Sequence, residues 1–523
     1  MGFRLGLAAC MLPVLQGCMS SGTVDRNVSR AVEKRARGSN AIRPNSVEDA
    51  FRPSGAAPRQ QGVVELDLNG VLEMATQYSR RLQGRRETLY LAGLTQLSQA
   101  RAFGVQLSGT LSYVNTISGV RDGDGNASAE ASATHVLPTG ANIALQGSTT
   151  RRDSNGTTND VNEVRYNSSL SLRLTQPLLA GAGYEVSHDA RIQAERDLLY
   201  ALREFALERQ DFAIRTVEQY YGLLNQQSVL RNTRLNVEQS IFLRKRSEAL
   251  FDIRMATAID VLRSQQQELT ALNQVESAEA DFDVALKRFL IALGLPVELE
   301  LNILGQFPEA FAVELDESAC IDLALQMRLD LSTVRDRVED SRRRLRIAKN
   351  AVLPRLDGFT EATYSGESDK SFGGESFEDS VAAGVTFEVP LDKRDERDAV
   401  KRTEMGVTAA ERELEQTLDT VKVEIIENFR RLNSLRITVD IQAKNMEIAE
   451  KRARNALLRF KNGELSNRDV VEAENDLLDA RNSYARALVD HELQRLRLLR
   501  NVGLLDVAPD GTMLELSIDD VQR

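Results

Sequence analysis

The sequence predicts an α+β membrane protein built from two copies of one plan: helix, strands, then a long helix that folds back as a hairpin. Three observations carry this. A constant offset of 209 residues places Ala190 on Ala399, Tyr220 on Phe429, Phe251 on Phe460, Asp260 on Asp469 and Gly294 on Gly503 without a gap, which marks an internal repeat. The 523 residues include only 11 Pro and no Trp, and 27% are charged, a balance common in long helical proteins. Runs of alternating polar and apolar residues precede each long helix, the period of a strand with two different faces.

The first segment, "MGFRLGLAACMLPVLQGCMSSG", carries one Arg and then an apolar run too short to span a bilayer, which reads as a secretory signal over 1–17. It ends in Leu15-Gln16-Gly17-Cys18, similar to a bacterial lipobox although Gln16 departs from the residue usual there. Cys18 is therefore the expected lipid acceptor and first mature residue, and Met19 in place of Asp implies sorting to the outer membrane. Residues 18–62, rich in Pro, Gly, Ser and Arg toward their end, read as a tether.

The first repeat is expected over 63–296, with strands at about 105–176 and a helical hairpin at about 186–293. A connector over 297–316 leads to the second repeat over 317–505, with strands at about 356–389 and a hairpin at about 395–502. Residues 506–523 are left as a C-terminal tail. Each repeat opens with one helix pattern, the first running from about 66 to 103. The long helices lack Pro, and at about 1.5 Å per residue each reaches roughly 95 to 100 Å. In the second copy Leu414, Leu418, Val421, Ile425, Leu432, Leu435 and Val439 step mostly by three and four, a narrow stripe that asks for coiled-coil partners.

The alternating runs include "SLSLRLTQP" and "SVAAGVTFEVP", each ending at a Pro just before a long helix. Polar Gly-rich loops lie between them, and Leu137-Pro138-Thr139-Gly140 makes one tight turn. Short turns on one side and long loops on the other are the pattern of an outer-membrane barrel. So few strands cannot close a wide barrel, and lipid does not tolerate open edges, so several chains must share one.

Net charge is -11, with Arg and Glu interleaved, and no basic stripe points to nucleic acid. His135, His188 and His491 stand far apart without metal-ligand spacing, and Cys320 sits in an apolar helix pattern. No nucleophile has a base at meaningful spacing, so neither an enzyme nor a cofactor is expected.

The duplicated plan, Gln176-Pro177 entering a long helix, Leu353-Pro354-x-Leu356 entering a strand, and "FKNGELSNRDVVEAEND" together resemble the TolC-like outer-membrane factors, including their lipidated OprM-like branch. The resemblance implies a homotrimer whose outer-membrane β-barrel continues into a long periplasmic α-helical coiled-coil barrel. It implies a non-enzymatic efflux channel for small molecules or metals, coupled through a periplasmic adaptor, a membrane fusion protein, to an inner-membrane transporter. Outer-membrane lipids are the other expected partner. A duct for type I protein or polysaccharide secretion is the alternative, and a structural coiled-coil envelope lipoprotein the second. The turn at 137–140 implies an extra hairpin, which would raise the count from four to six strands per chain if it joins the barrel.

Within the resemblance the two breaks become hairpin tips at the periplasmic entrance. Phe251, Asp260, Phe460, Gly463 and Leu465 are the expected adaptor-docking residues. Asp469 and Glu472, three apart and so on one helical face, would ring the tunnel entrance. The competing reading makes Asp469 a cap of the returning helix. The first copy has Asp260 and Arg263 at these places, so the acidic ring would come from the second copy alone.

Overall fold

A computed structural model describes residues 21–37, 64–116, 124–154, 163–309, 316–368, 377–462 and 464–516. The segment read as a signal, Cys18 and Gly463 lie outside the described residues. The elements in chain order are α1 (Ser21–Arg37), β1 (Val64–Leu66), α2 (Leu68–Tyr78), α3 (Arg80–Ala102), β2 (Gln106–Thr116), β3 (Asp124–Val136), β4 (Asn142–Ser154) and β5 (Glu163–Pro177). Then come α4 (Tyr184–Ser187), α5 (Asp189–Asp252), α6 (Ala258–Leu293), β6 (Leu301–Ile303), α7 (Glu317–Met327), α8 (Leu329–Ala351), β7 (Arg355–Ser368) and β8 (Phe377–Glu388). The chain finishes with α9 (Arg394–Lys461), α10 (Asn467–Val502), β9 (Leu505–Val507) and β10 (Met513–Glu515). Among the described residues no helix is long and apolar enough to cross a membrane.

The chain divides into two compact units. The first holds a six-stranded antiparallel sheet in the order β2-β3-β4-β5-β7-β8. Alternation gives this sheet two chemically distinct faces, because the register keeps like residues together from strand to strand. Leu107 pairs with Ala133, Ala133 with Leu145, Leu145 with Leu172, Leu172 with Ala362 and Ala362 with Val381. The opposite parity carries Ser108 against Ser132 and Ser148 against Ser169, whose hydroxyls meet at 2.6 and 2.8 Å. Arg165 and Arg173 face Glu367 and Glu361 on that side at 3.4 and 3.7 Å. The turn after β3 is tight because Gly140, at φ 91°, supplies the left-handed residue and its N–H donates to the Leu137 carbonyl at 2.9 Å.

Within the stretch expected as a tether, Ser21–Arg37 is a helix, and it packs against α3. Gly93 makes the approach possible: a Cβ there would lie 2.8 Å from Val28 Cγ1. The Tyr90 hydroxyl donates to Asp25 at 2.5 Å beside it. The spacing of Val28 and Val32 is the signal that composition obscured, since four residues apart puts both on one helical face.

In the second unit the helix ends repeat residue for residue. Asp67 and Asp316 cap α2 and α7 by accepting from the N–H three residues on, at 2.9 and 2.8 Å. The single opening helix expected in each repeat is in fact two, of 11 and 23 residues in both copies, broken at Ser79 and Arg328. Neither Gly nor Pro marks the break. The breaks coincide with a close tertiary approach: α6 and α10 end in left-handed Gly294 and Gly503, φ 81° and 88°, set against the ends of α2 and α7. A Cβ on Gly294 would sit 2.0 Å from the Tyr78 carbonyl oxygen, and one on Gly503 2.8 Å from Met327 Cβ. The connector contributes β6, paired in parallel with β1. The tail is likewise structured, with β9 and β10 forming a hairpin whose Gly511 lies against Leu72 and Thr76.

Candidate functional site

The helical hairpin tips are built by the same local chemistry in both copies. At the end of α5 the Met255 N–H reaches back to the Leu250 carbonyl at 2.8 Å, and at the end of α9 the Glu464 N–H reaches the Arg459 carbonyl at 2.9 Å. These are six-to-one helix-ending bonds, which require a left-handed residue between. In the first tip that residue is Arg254, at φ 63° the one non-glycine in this conformation among the described residues. The 209-residue offset places Gly463 at the same point of the second tip, though Gly463 lies outside the described residues.

Each returning helix then starts with a capping box. Thr257 Oγ1 donates to Asp260 Oδ2 at 2.6 Å and its N–H to the same oxygen at 3.1 Å. Ser466 repeats this on Asp469 at 2.6 and 3.0 Å. The hydrogen bonds from Thr257 and from Ser466 hold the Asp260 and Asp469 carboxyls below the usual carboxylate range. The capping role weighed for Asp469 is thus the geometry found, and Asp469 remains solvent-exposed while filling it. Glu472, one turn on and also exposed, accepts from Arg452 of α9 at 3.2 Å. Arg452 also binds Asp476. In the first tip Arg263 stands 3.8 Å from Asp260.

The apolar residues of the tips are not equivalent. Phe460 is 5% exposed, in a cluster with Leu243 of α5, Ala453, Ala456, Val470, Ala473 and Leu477, with Leu465 and Val471 packed alongside. The Arg246 guanidinium covers its ring at 4.9 Å and donates to the Lys461 carbonyl at 2.9 Å. Phe251, its counterpart, is 46% exposed, and Ile253, Met255, Ile259 and Leu262 beside it are exposed too. The structure therefore brings Phe460 and Leu465 into one core and leaves Phe251 on the surface.

Sequence reasoning overlooked Arg452, Arg246 and Arg254. The first two lie in helical stretches dense in Arg, with nothing local to single them out. Arg254 had a signal, its alignment with a glycine. Elsewhere, burial pushes the Cys320 thiol up to about 11, which keeps it protonated in its helix. Among the described residues no three His, Cys, Asp or Glu side chains form a metal-binding group.

Residues 320–504 match the model of the outer membrane efflux protein family. The chain is 27% identical over 370 residues to the alkaline protease secretion protein AprF of Pseudomonas aeruginosa, covering 67% of this chain and 73% of the relative. It is also 27% identical over 366 residues to the outer membrane protein TolC of Vibrio cholerae, covering 62% of this chain and 81% of that one. Its fold is similar to the crystal structure of the Campylobacter jejuni CmeC outer membrane channel, with a TM-score of 0.62 and 15% identity over 87% of this chain and 88% of that one.

Proposed function

We infer that this chain is a member of the TolC-like outer membrane efflux protein family, and that it is an outer-membrane channel serving as the exit duct of a tripartite efflux system. One observation carries this reading: a sheet with one apolar and one polar face, whose strands lead into helices of 64 and 68 residues in the two copies of one plan. A sheet with apolar residues on one side and Ser, Thr, Arg and Glu on the other suits a wall between lipid and water. Three copies sharing such a wall make the channel. Acylation of Cys18 adds an anchor, and labelled palmitate entering the wild-type protein but not Cys18→Ser tests it.

In this reading the tips face a periplasmic adaptor coupled to an inner-membrane transporter that selects small molecules or metals. The exposed apolar set around Phe251 supplies the docking surface. Phe460 and Leu465 act from beneath, holding the second tip in shape. Asp469 and Glu472 place charge at the entrance: a capping carboxylate stays ionised, and copies around an axis bring six such groups together, which favours cations. In planar bilayers, Asp469→Ala with Glu472→Ala lowers cation selectivity while the assembly stays intact. Unchanged selectivity would assign both residues to capping and ion pairing alone.

The likeness to AprF favours one second reading, a duct for protein secretion. Loss of the gene separates the two, since it sensitises cells to small toxic compounds in the first case and removes a protein from the culture medium in the second.

A further inference from the structure

We propose that all six strands join the shared barrel, with β2 of one copy pairing antiparallel to β8 of the next, so that three copies form an 18-stranded wall. This rests on the channel reading above and deepens it, because four strands per chain would satisfy that reading equally well. Four would suffice if the β2–β3 hairpin folded away, leaving β4 as the edge.

The register argues against that. β3 pairs with β4 from Gly125↔Asp153 to Val136↔Asn142, and β2 pairs with β3 from Gln106↔Thr134 to Thr116↔Asp124, so the side of β4 away from β5 is filled along its length. The face chemistry continues through the added strands. Leu107, Leu111 and Tyr113 share parity with Ala127, Ala129, Ala131 and Ala133, and the other parity carries Ser108, Ser112, Ser128, Glu130 and Ser132. A hairpin lying outside the wall has no need to keep apolar residues in phase with Leu145 and Leu172.

The second copy of this chain is the occupant that fits both edges. β2 and β8 are the two ends of the sheet, 11 and 12 residues long. With six antiparallel strands they run in opposite directions, so a rotated copy meets β2 with an antiparallel β8. Leu107 and Val381 on their apolar parity are 79% and 75% exposed, so the same face continues across the joint. Pairing of two different edges is head-to-tail and closes into a ring. Eighteen strands fall in the size class whose interior is an aqueous channel.

Disulfide trapping in native outer membranes tests this on the full chain with Cys320→Ser. Ser112→Cys is combined in turn with Ser380→Cys, Ala382→Cys and Gly384→Cys, which spans a stagger of two residues either way on the polar face. A parallel set uses Ser148→Cys on β4 with the same three partners. The expected result is oxidation to covalent dimers and trimers for at least one β2–β8 combination and for none of the β4–β8 set. Cross-links in the β4–β8 set alone would overturn the six-strand barrel and leave the channel reading intact. Trimers with no cross-link in either set would also overturn it. A monomer by native mass measurement would remove the channel reading itself.

Discussion

The two hairpin tips share their hydrogen bonds and differ in their surfaces. Both end a long helix with a six-to-one bond and restart on a Thr or Ser capping box closed by Asp260 or Asp469. Yet Phe460 is buried where Phe251 is exposed. The difference lies in the neighbours: Leu243 and Arg246 of α5 pack under the second tip. Local sequence therefore sets the shape of each tip, and the chain beside it decides which side chains remain for a partner.

Truncating the aromatic ring is the strongest way to probe this contrast. Phe460→Ala should cost about 3–5 kcal/mol of local stability, the usual range for a buried Phe, read as faster hydrogen exchange over 453–477. Phe251→Ala should leave exchange unchanged and, under the proposed docking role, reduce capture of a periplasmic adaptor. Equal effects of the two on exchange would erase the distinction drawn here.

Where the tips agree, they should respond alike. Thr257→Ala and Ser466→Ala each remove a cap, with an expected loss of about 1 kcal/mol measurable as fraying of the first turns of α6 and α10. The same boxes set a pH dependence. Both carboxyls have folded pKa values below their unfolded ones, so their contribution is present above the unfolded value, about 3.9, and is lost as pH falls through the lower folded value. Exchange at both tips should therefore accelerate together only on acidification below about pH 4. A smaller effect sharpens the comparison from the other side. Arg254→Gly should stabilise the first tip by about 0.5–1 kcal/mol, because a side chain no longer has to hold a left-handed conformation.

Much of this was legible from pattern alone. The hairpins expected at about 186–293 and 395–502 run from Asp189 to Leu293 and from Arg394 to Val502. Those spans carry their own start and stop signals. The breaks at Ser79 and Arg328 carry neither Gly nor Pro, and the segments packed against them, Gly294 and Gly503, come from more than a hundred residues away. α1 was hidden by the composition of the residues that follow it. At the candidate site, the capping boxes were readable from Thr257 and Ser466 with an Asp three residues on. The burial of Phe460 depends on Leu243, more than two hundred residues earlier, and no local pattern encodes it.

The first copy is longer than the second between its opening and long helices: α2 and α7 are offset by 249 residues, α5 and the matching part of α9 by 209, a difference of 40. Nearly all of that growth falls between the first and last strand of each copy, 106–177 against 355–388, where four strands stand against two. A helix inserted into a coiled bundle tolerates no such freedom, since each added residue turns every later side chain by about 100°. A hairpin adds two crossings and hands the chain back at the end of the sheet from which it departed, so everything downstream begins from an unchanged starting point. The sheet is thus the place where this lineage could lengthen by duplication in even steps, and where an engineer could add or excise a pair of strands without retuning the helices.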